Sequence, residues 1–370
     1  MQLECVHVHT PDNKGGVGIK QVTLEDIAKL AGVSRGMVDR VYHERGYVKA
    51  EKAALIRELL DRYDYRPNKL ARALSVSQKK RNIKIILNSI GNDYFNDVIA
   101  GIQSAAEEFS SFGLQVNIEY LKGFAADDQL AAIRRLQTDS IDGLVLTPVN
   151  HPEIAQELNQ LVEAGLPVLT VNTDIDDCSR NLYIGCDYRQ SGQMAGGFLT
   201  LMGRQRRLRV GIIQGSESAK GHQERLAGFL SVVENDPAIQ VLNCAACNDD
   251  DELAYEQTCA MLTRDRPECL YVVAGGLAGA MKGIEKTDLP VRVIAHDLTP
   301  AAVTGLLNDR ICVTIDQQPF QQGYQAVRAL FEYIYQDNPL DQQSHAIQLA
   351  YVTKYNLPRH GQTKEGANQA

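Results

Sequence analysis

Apolar and polar positions divide most of the chain into short runs and longer periodic stretches. From Ile83 onward, runs rich in β-branched residues recur: IKIILN at 83–88, LQVNIEY at 114–120, GLVLTP at 143–148, PVLTV at 167–171, LRVGIIQ at 208–214, IQVLNC at 239–244, LYVVAG at 270–275, VRVIAH at 291–296 and VTIDQ at 313–317. Several are apolar at consecutive positions, as strands buried on both faces of a parallel sheet require. Between most of them the apolar positions repeat at helical period, as in Val98–Phe109 and Leu226–Val233. The alternation predicts parallel sheets covered by helices on both faces. These nine strands fit one sheet or two. A polar break at Arg204-Gln205-Arg206-Arg207, flanked by two similar half-patterns, argues for two lobes. Lobe 1 is expected over 82–203 and 317–337, and lobe 2 over 204–316 and 338–358, with tails at 1–20 and 359–370.

The first part of the chain has only the helical period. Thr23 precedes apolar positions Leu24, Ile27, Ala28, Leu30 and Ala31, with Glu25 and Asp26 in the first turn. A capping hydroxyl and early acids suit a helix start. Ala31-Gly32-Val33-Ser34 then supplies a break, a residue tolerant of a left-handed turn, an apolar wedge and a new cap. In the next helix Met37, Val38 and Val41 can face inward, leaving Arg35, Gly36, Asp39 and Arg40 outside. A third helix, from Ala50 to Tyr63, has Ala54, Leu55, Leu59 and Leu60 as its expected stripe. Two short helices joined by a tight turn make a helix-turn-helix.

The run TLEDIAKLAGVSRGMVDRV, continued by RGYV and YDYRPNKLARAL, resembles the DNA-binding end of LacI-family regulators over some 55 residues. The resemblance implies a helix-turn-helix domain at 21–66 and a hinge helix with linker at 67–81. It implies that Arg35, Gly36 and Arg40 occupy base-reading positions. Arginine at the start of such a helix can pair with guanine in the major groove. Asp39 stands where Ser is more usual. Thr23, Ser34, Met37, Tyr47, Asn68, Lys69 and Ala71 complete the expected DNA-facing set. Leu74 either packs beneath the next domain or, by resemblance, wedges between base steps in the minor groove.

Charge supports that division. Lys20 to Arg81 holds 15 Lys and Arg against 8 Asp and Glu, in a chain whose net charge is −8. A basic end on an acidic body suits one domain that meets a polyanion and one that does not. No run of apolar residues is long enough for a membrane helix. The start, MQLECVHVHTPDNKGG, lacks the pattern of a secretory signal, so a cytoplasmic location is expected. The eight cysteines are scattered and read mainly as reduced thiols. Cys244 and Cys247 have redox or half-zinc spacing but no second pair. Cys5, His7 and His9 lie in a polar, Gly-rich tail. No metal and no cofactor are expected. Gly275-Gly276 and Gly279 lack the full dinucleotide or Walker spacing, and no nucleophile elbow or zinc-protease motif occurs.

The region 82–358 resembles the periplasmic sugar-binding-protein fold, which serves as the LacI-family sensor. Its landmarks are Arg225-Leu-Ala-Gly-Phe229, His296-Asp297-Leu-Thr-Pro300 and Thr314-Ile-Asp-Gln-Gln-Pro-Phe320. The fold class expected is therefore an all-α helix-turn-helix domain followed by a two-lobed α/β domain with two doubly wound parallel sheets. Ligands in such sheets bind beyond the carboxyl ends of the strands. The polar loops there hold Asn92, Asn150, Asp187, Arg225, Asp297 and Gln317. By resemblance Tyr94 and Phe95 stack on a sugar, Arg225 and Asp297 hold its oxygens, and Gln317 bridges the lobes. The loop Ala274-Gly275-Gly276-Leu277-Ala278-Gly279 lacks the Asn or Asp contact frequent in the family. The function expected is a transcription repressor of carbohydrate uptake or catabolic genes. Its partners are operator double-stranded DNA, a sugar or polyol effector and a second copy, as a homodimer or a dimer of dimers. A transporter's solute-binding protein would lack the basic domain. An α/β enzyme would need a catalytic constellation that the motifs do not supply.

Overall fold

The computed structural model describes residues 22, 24–42, 48–63, 80–136, 140–203, 207–216, 219–287, 289–341 and 347–357. Thr23, Tyr47, Asn68, Lys69, Ala71, Leu74, both tails and nearly all of the hinge segment lie outside these residues. Two compact units form, Met1–Arg72 and Ala73–Ala370.

In the first unit α1 (Leu24–Ala31), α2 (Arg35–Tyr42) and α3 (Ala50–Arg62) share one small core. Ile27, Val38 and Ile56 are fully enclosed, with Ala28, Ala31, Val41, Ala53 and Leu59 around them. Truncating such an isoleucine to alanine costs about 2–5 kcal/mol, a large share of a small domain's stability. Gly32 takes the left-handed turn that separates α1 from α2. The α3 stripe departs from the expected one only in its first half, Leu59 and Leu60 packing as expected. Ala53, Ile56 and Leu59 are buried, whereas Ala54 and Leu55 are exposed. Ile56 sits between two alanines and two leucines, and steps of three and four from it select Ala53 and Leu59.

The second unit holds two sheets. The first has the order β2-β1-β3-β4-β5: β1 (Arg81–Ile90), β2 (Leu114–Lys122), β3 (Gly143–Leu146), β4 (Val168–Val171) and β5 (Leu182–Ile184). All its pairings are parallel, with Ile85 opposite Ile118 and Val145. One face is covered by α4 (Tyr94–Phe109) and α12 (Pro319–Gln336), where the Phe109 and Phe331 rings stack at 4.1 Å. The other face is covered by α5 (Ala126–Arg135) and α6 (Pro152–Glu163).

The second sheet has the order β11-β10-β9-β8-β6-β7: β6 (Leu208–Gln214), β7 (Ile239–Ala246), β8 (Cys269–Val272), β9 (Arg292–His296), β10 (Ile311–Asp316) and β11 (Ala350–Val352). Only β11 runs antiparallel, against β10. Helices α7 (Tyr188–Gly203) and α8 (Lys220–Val233) cover one face. Helices α9 (Asp251–Arg264), α10 (Leu277–Thr287) and α11 (Pro300–Leu307) cover the other. All nine expected strands form. The two unforeseen ones, β5 and β11, have three residues each, too few to display a period.

The chain leaves lobe 1 earlier than the polar break at 204–207 suggested. Helix α7 packs on α8, and its Ala195 and Leu199 join the lobe 2 core. A Cβ at Gly192 would stand 1.8 Å from the Arg225 carbonyl oxygen, and one at Gly228 would stand 2.0 Å from that of Arg189. Two facing glycines thus let the α7 and α8 backbones meet, so the crossing lies at Gly185–Asp187. The return crossing is at Asp316–Gln318, between β10 and α12.

Candidate functional site

Helix α2 has one apolar and one free face. Val38 and Val41 are buried and Met37 and Asp39 half-buried, while Ser34, Arg35, Gly36 and Arg40 are exposed. Arg40 Nε donates to the Gly36 carbonyl at 3.1 Å, laying its guanidinium back along the outer face. A Cβ at Gly36 would meet nothing within 4 Å, so packing within the unit does not demand glycine there. A short helix with two arginines on its open side can enter a groove of a polyanion.

In the second unit the strand order reverses between β1 and β3, and again between β6 and β8. Such switch points open crevices beyond the carboxyl ends of the strands. Arg225 and Asp297 come from the carboxyl-end side of sheet 2, and Gln317 follows the last residue of β10. Gln317 Nε2 donates to Asp297 Oδ1 at 2.8 Å, and its Oε1 accepts the Cys186 thiol at 3.2 Å. It therefore ties the first two of the three lobe crossings to the floor of lobe 2, the third lying between α12 and β11. Asp297 holds a left-handed φ of 67° at the end of β9, anchored by Thr314 Oγ1 donating to its carbonyl at 2.7 Å.

Arg225 is 2% exposed. Its Nη1 donates to the Val273 carbonyl at 2.7 Å, and its guanidinium carbon stands 4.8 Å from the centre of the Tyr188 ring. Its Nε and Nη2 have no partner among the described residues. An unsatisfied buried donor on a cation is costly, so these two N–H groups are available to donate to the oxygens of a bound ligand. Burial works against the Arg225 cation, but Asp297 and the neighbouring tyrosines hold its pKa above the ordinary value. Burial pushes the Asp297 carboxyl up to about 6, against the opposing pull of Arg225 and Gln317.

The remaining expected residues fall in three groups. Tyr94 is buried in the lobe 1 core, its hydroxyl near Asn172 without a well-directed hydrogen bond, and near Asp297. Phe95 belongs to the lobe 1 core and meets Tyr94 edge-on at 5.4 Å. Both residues start α4 rather than lie in a loop, and Asn92 Oδ1 accepts the Tyr94 N–H at 3.1 Å. Asp187 serves the start of α7, accepting the Gln190 N–H at 2.9 Å. Asn150 is engaged with Asp176, giving and receiving one hydrogen bond at 3.0 Å each. Asp176 also pairs with Lys220 from lobe 2, which makes an ionic latch between the lobes. A cavity of about 500 Å³ opens beside it, lined from both lobes by residues including Tyr183, Asp187, Tyr188 and Lys220.

The sequence reading missed Asn172, Tyr188 and Cys186. Asn172 directly follows β4 with φ 66°, and the hydroxyls of Tyr183 and Tyr188 both donate to its carbonyl, at 2.9 and 2.8 Å. Its place after a strand was a usable signal; Tyr188 and Cys186 had none. Beneath the cleft His296 touches Ser191 Oγ at 3.2 Å and Tyr271 Oη at 2.9 Å. Burial, then Arg225, holds its pKa well below the ordinary value, so the ring is neutral. The seven described cysteines are free thiols, and no metal-holding group of three or more His, Cys, Asp or Glu occurs among the described residues. No helix among them is long and apolar enough to cross a membrane.

Residues 83–337 match the family model of the periplasmic binding protein domain, and residues 23–68 match that of the bacterial regulatory proteins of the lacI family. The chain is 31% identical over 218 residues to the probable HTH-type transcriptional repressor ExuR of Bacillus subtilis (strain 168), across 57% of this chain and 60% of that one. It is 26% identical over 235 residues to catabolite control protein A of Staphylococcus aureus (strain MRSA252), across 62% of this chain and 68% of that one. An ABC transporter solute binding protein from Burkholderia graminis C4D1M, in complex with D-arabinose, shares the fold. Its TM-score is 0.69 at 22% identity, over 76% of this chain and 98% of that one. Over residues 83–337 the chain belongs to the periplasmic binding protein domain family, and in residues 23–68 it carries the helix-turn-helix domain of the lacI family of bacterial regulatory proteins.

Proposed function

We propose that this chain is a sequence-specific transcription repressor of carbohydrate uptake or catabolic genes, controlled by a neutral sugar or polyol bound between its two lobes. The observation that carries this reading is the buried Arg225 guanidinium, with Nε and Nη2 unsatisfied and Asp297 within electrostatic reach. A cation and a carboxylate facing one space supply donors and acceptors to vicinal hydroxyls. The exposed arginines of α2 supply the reading head. One such head reads a half-site, so the working form is a homodimer on an inverted repeat, in the cytoplasm. The protein acts by binding, not by turnover. The sugar controls DNA affinity because it binds one arrangement of the lobes better than another.

The test is a thermal-shift screen of the full chain over sugars, polyols and sugar phosphates, since a ligand of the folded state raises the unfolding midpoint. A sugar should raise the midpoint of the wild type and fail to raise that of Arg225→Ala. A screen in which no sugar or polyol acts overturns the reading.

A further inference from the structure

We propose that His222 and Asp249 form a second hydroxyl-binding subsite of the effector cleft, which makes the site selective for a sugar carrying a hydroxyl at that end. The proposal rests on the sugar-binding reading of the cleft and names what the far side of the site recognises.

His222 lies three residues before Arg225 on α8, one helical turn away on the same face. Its Nδ1 accepts the Ser216 N–H at 3.0 Å. The neutral ring therefore carries its proton on Nε2. Burial, reinforced by Arg225, lowers the His222 pKa although Asp249 opposes it, so the neutral form is the working one. Nε2 stands 3.9 Å from Asp249 Oδ2. That is too long for a hydrogen bond. It is the right spacing for one oxygen about 2.8 Å from each atom. A hydroxyl there accepts from Nε2–H and donates to Oδ2, a pairing that matches the amphoteric character of a sugar hydroxyl.

The carboxylate is held for this task. Its Oδ1 accepts the Gly275 N–H at 3.0 Å, which leaves Oδ2 turned to the histidine. Asn248 and Asp249 both have left-handed φ angles, 51° and 60°. A Cβ at Gly215 would lie 2.4 Å from Asp249 Oδ1 and 2.6 Å from His222 Nδ1. A Cβ at Gly275 would lie 2.8 Å from the Asp249 Cβ. Two glycines at the carboxyl ends of β6 and β8 thus make room for a carboxylate delivered from the end of β7, at the switch point of the sheet. The glycine-rich loop after β8 offers no polar side chain of its own, and Asp249 fills the space it leaves. Arg225, on the same helix, has two unpartnered buried donors one turn away, available to the adjoining part of the ligand.

The experiment measures thermal-shift titrations of the full chain with D-glucose, D-galactose, D-allose and D-arabinose. The sugar with the largest effect on the wild type is then compared with its monodeoxy analogues. The variants are His222→Asn, which keeps an acceptor near Nδ1 and removes Nε2–H, and Asp249→Asn, which tolerates the left-handed backbone. Each should bind the parent sugar about tenfold or more weakly and lose discrimination against one particular deoxy sugar. Variants that bind the parent sugar like the wild type, or keep full discrimination against every deoxy analogue, overturn the subsite. If none of the four sugars acts on the wild type, the sugar or polyol found by the wider screen takes their place, and if that screen also finds none, the neutral-sugar reading of the cleft falls and takes the subsite with it.

Discussion

Gln317 and Asp297 are joined by a single hydrogen bond, Nε2 to Oδ1 at 2.8 Å, and through it a crossing between the lobes touches the floor of the proposed effector cleft. The other end of the same amide takes the Cys186 thiol at the first crossing. A ligand that engages Asp297 therefore acts on a group already tied to two of the three connecting segments. Gln317→Ala removes the donor that helps keep Asp297 ionised. The expected result is about tenfold weaker sugar binding with little change in the fold, because loss of one hydrogen bond to a charged group costs about 1.5–3 kcal/mol. Sugar titrations of the variant followed by thermal shift check this.

The pH dependence of sugar binding follows from the carboxyl of Asp297. Its pKa in the folded chain is raised, chiefly by burial, to about 6 from an ordinary 3.8. The carboxyl therefore contributes stability fully below its unfolded pKa, and that contribution is lost as pH rises through the folded pKa. A sugar hydroxyl donating to the carboxylate favours the ionised form. Affinity should then rise from about pH 5 to about pH 7, with a proton released to buffer on binding near and below about pH 6 and none exchanged well above it. Asp297→Asn keeps the left-handed backbone and should flatten this profile. Calorimetry in two buffers of different ionisation enthalpy measures the proton directly.

On the reading helix, Arg35→Ala should cost about 1–3 kcal/mol of operator affinity and relax preference at one base pair per half-site. An equal loss on random DNA would refute a base-reading role. Gly36→Ala makes a sharper test. Open space surrounds this position. Alanine should therefore stabilise α2 by up to about 1 kcal/mol while changing which DNA is preferred. Circular dichroism melting and a competition binding assay separate the two effects.

The latch at the cleft mouth should be weak. Asp176 and Lys220 are largely or partly solvent-facing, with side-chain exposures of 57% and 26%. Exposed pairs contribute about 0–1 kcal/mol and are screened by salt. Lys220→Ala should shift the unfolding midpoint little and reduce sugar affinity only at low ionic strength. A large loss that persists at high salt would make Lys220 a direct ligand contact instead.

Much of this arrangement was legible in the residues. Long β-branched runs such as IKIILN and LRVGIIQ can bury both faces only in a parallel sheet, and their carboxyl ends pointed to Asp297 and Gln317. Three kinds of feature escaped. Elements of three residues, β5 and β11, carry no period. Tertiary contacts overrode local signals: the facing Gly192 and Gly228 drew α7 into lobe 2 despite the polar break after it, and Asn150 turned to Asp176. Tyr188 and His222 are delivered by helices and have no strand-end landmark, and Asp249 follows the edge strand β7, outside the strands whose ends flank the switch point. Sequence spacing could not bring Asp249 beside His222, because a strand and two loops separate them.

In the proposed function one ligand site governs one DNA-reading site. DNA recovered from a random-sequence pool by the full chain provides the operator. Its affinity is then measured with and without the sugar that most stabilises the protein, for wild type and Asp297→Asn. The expected result is an inverted repeat of two half-sites, a change in affinity of about tenfold or more on adding the sugar to wild type, and no change for Asp297→Asn. A stabilising sugar that leaves wild-type operator affinity unaltered would contradict it.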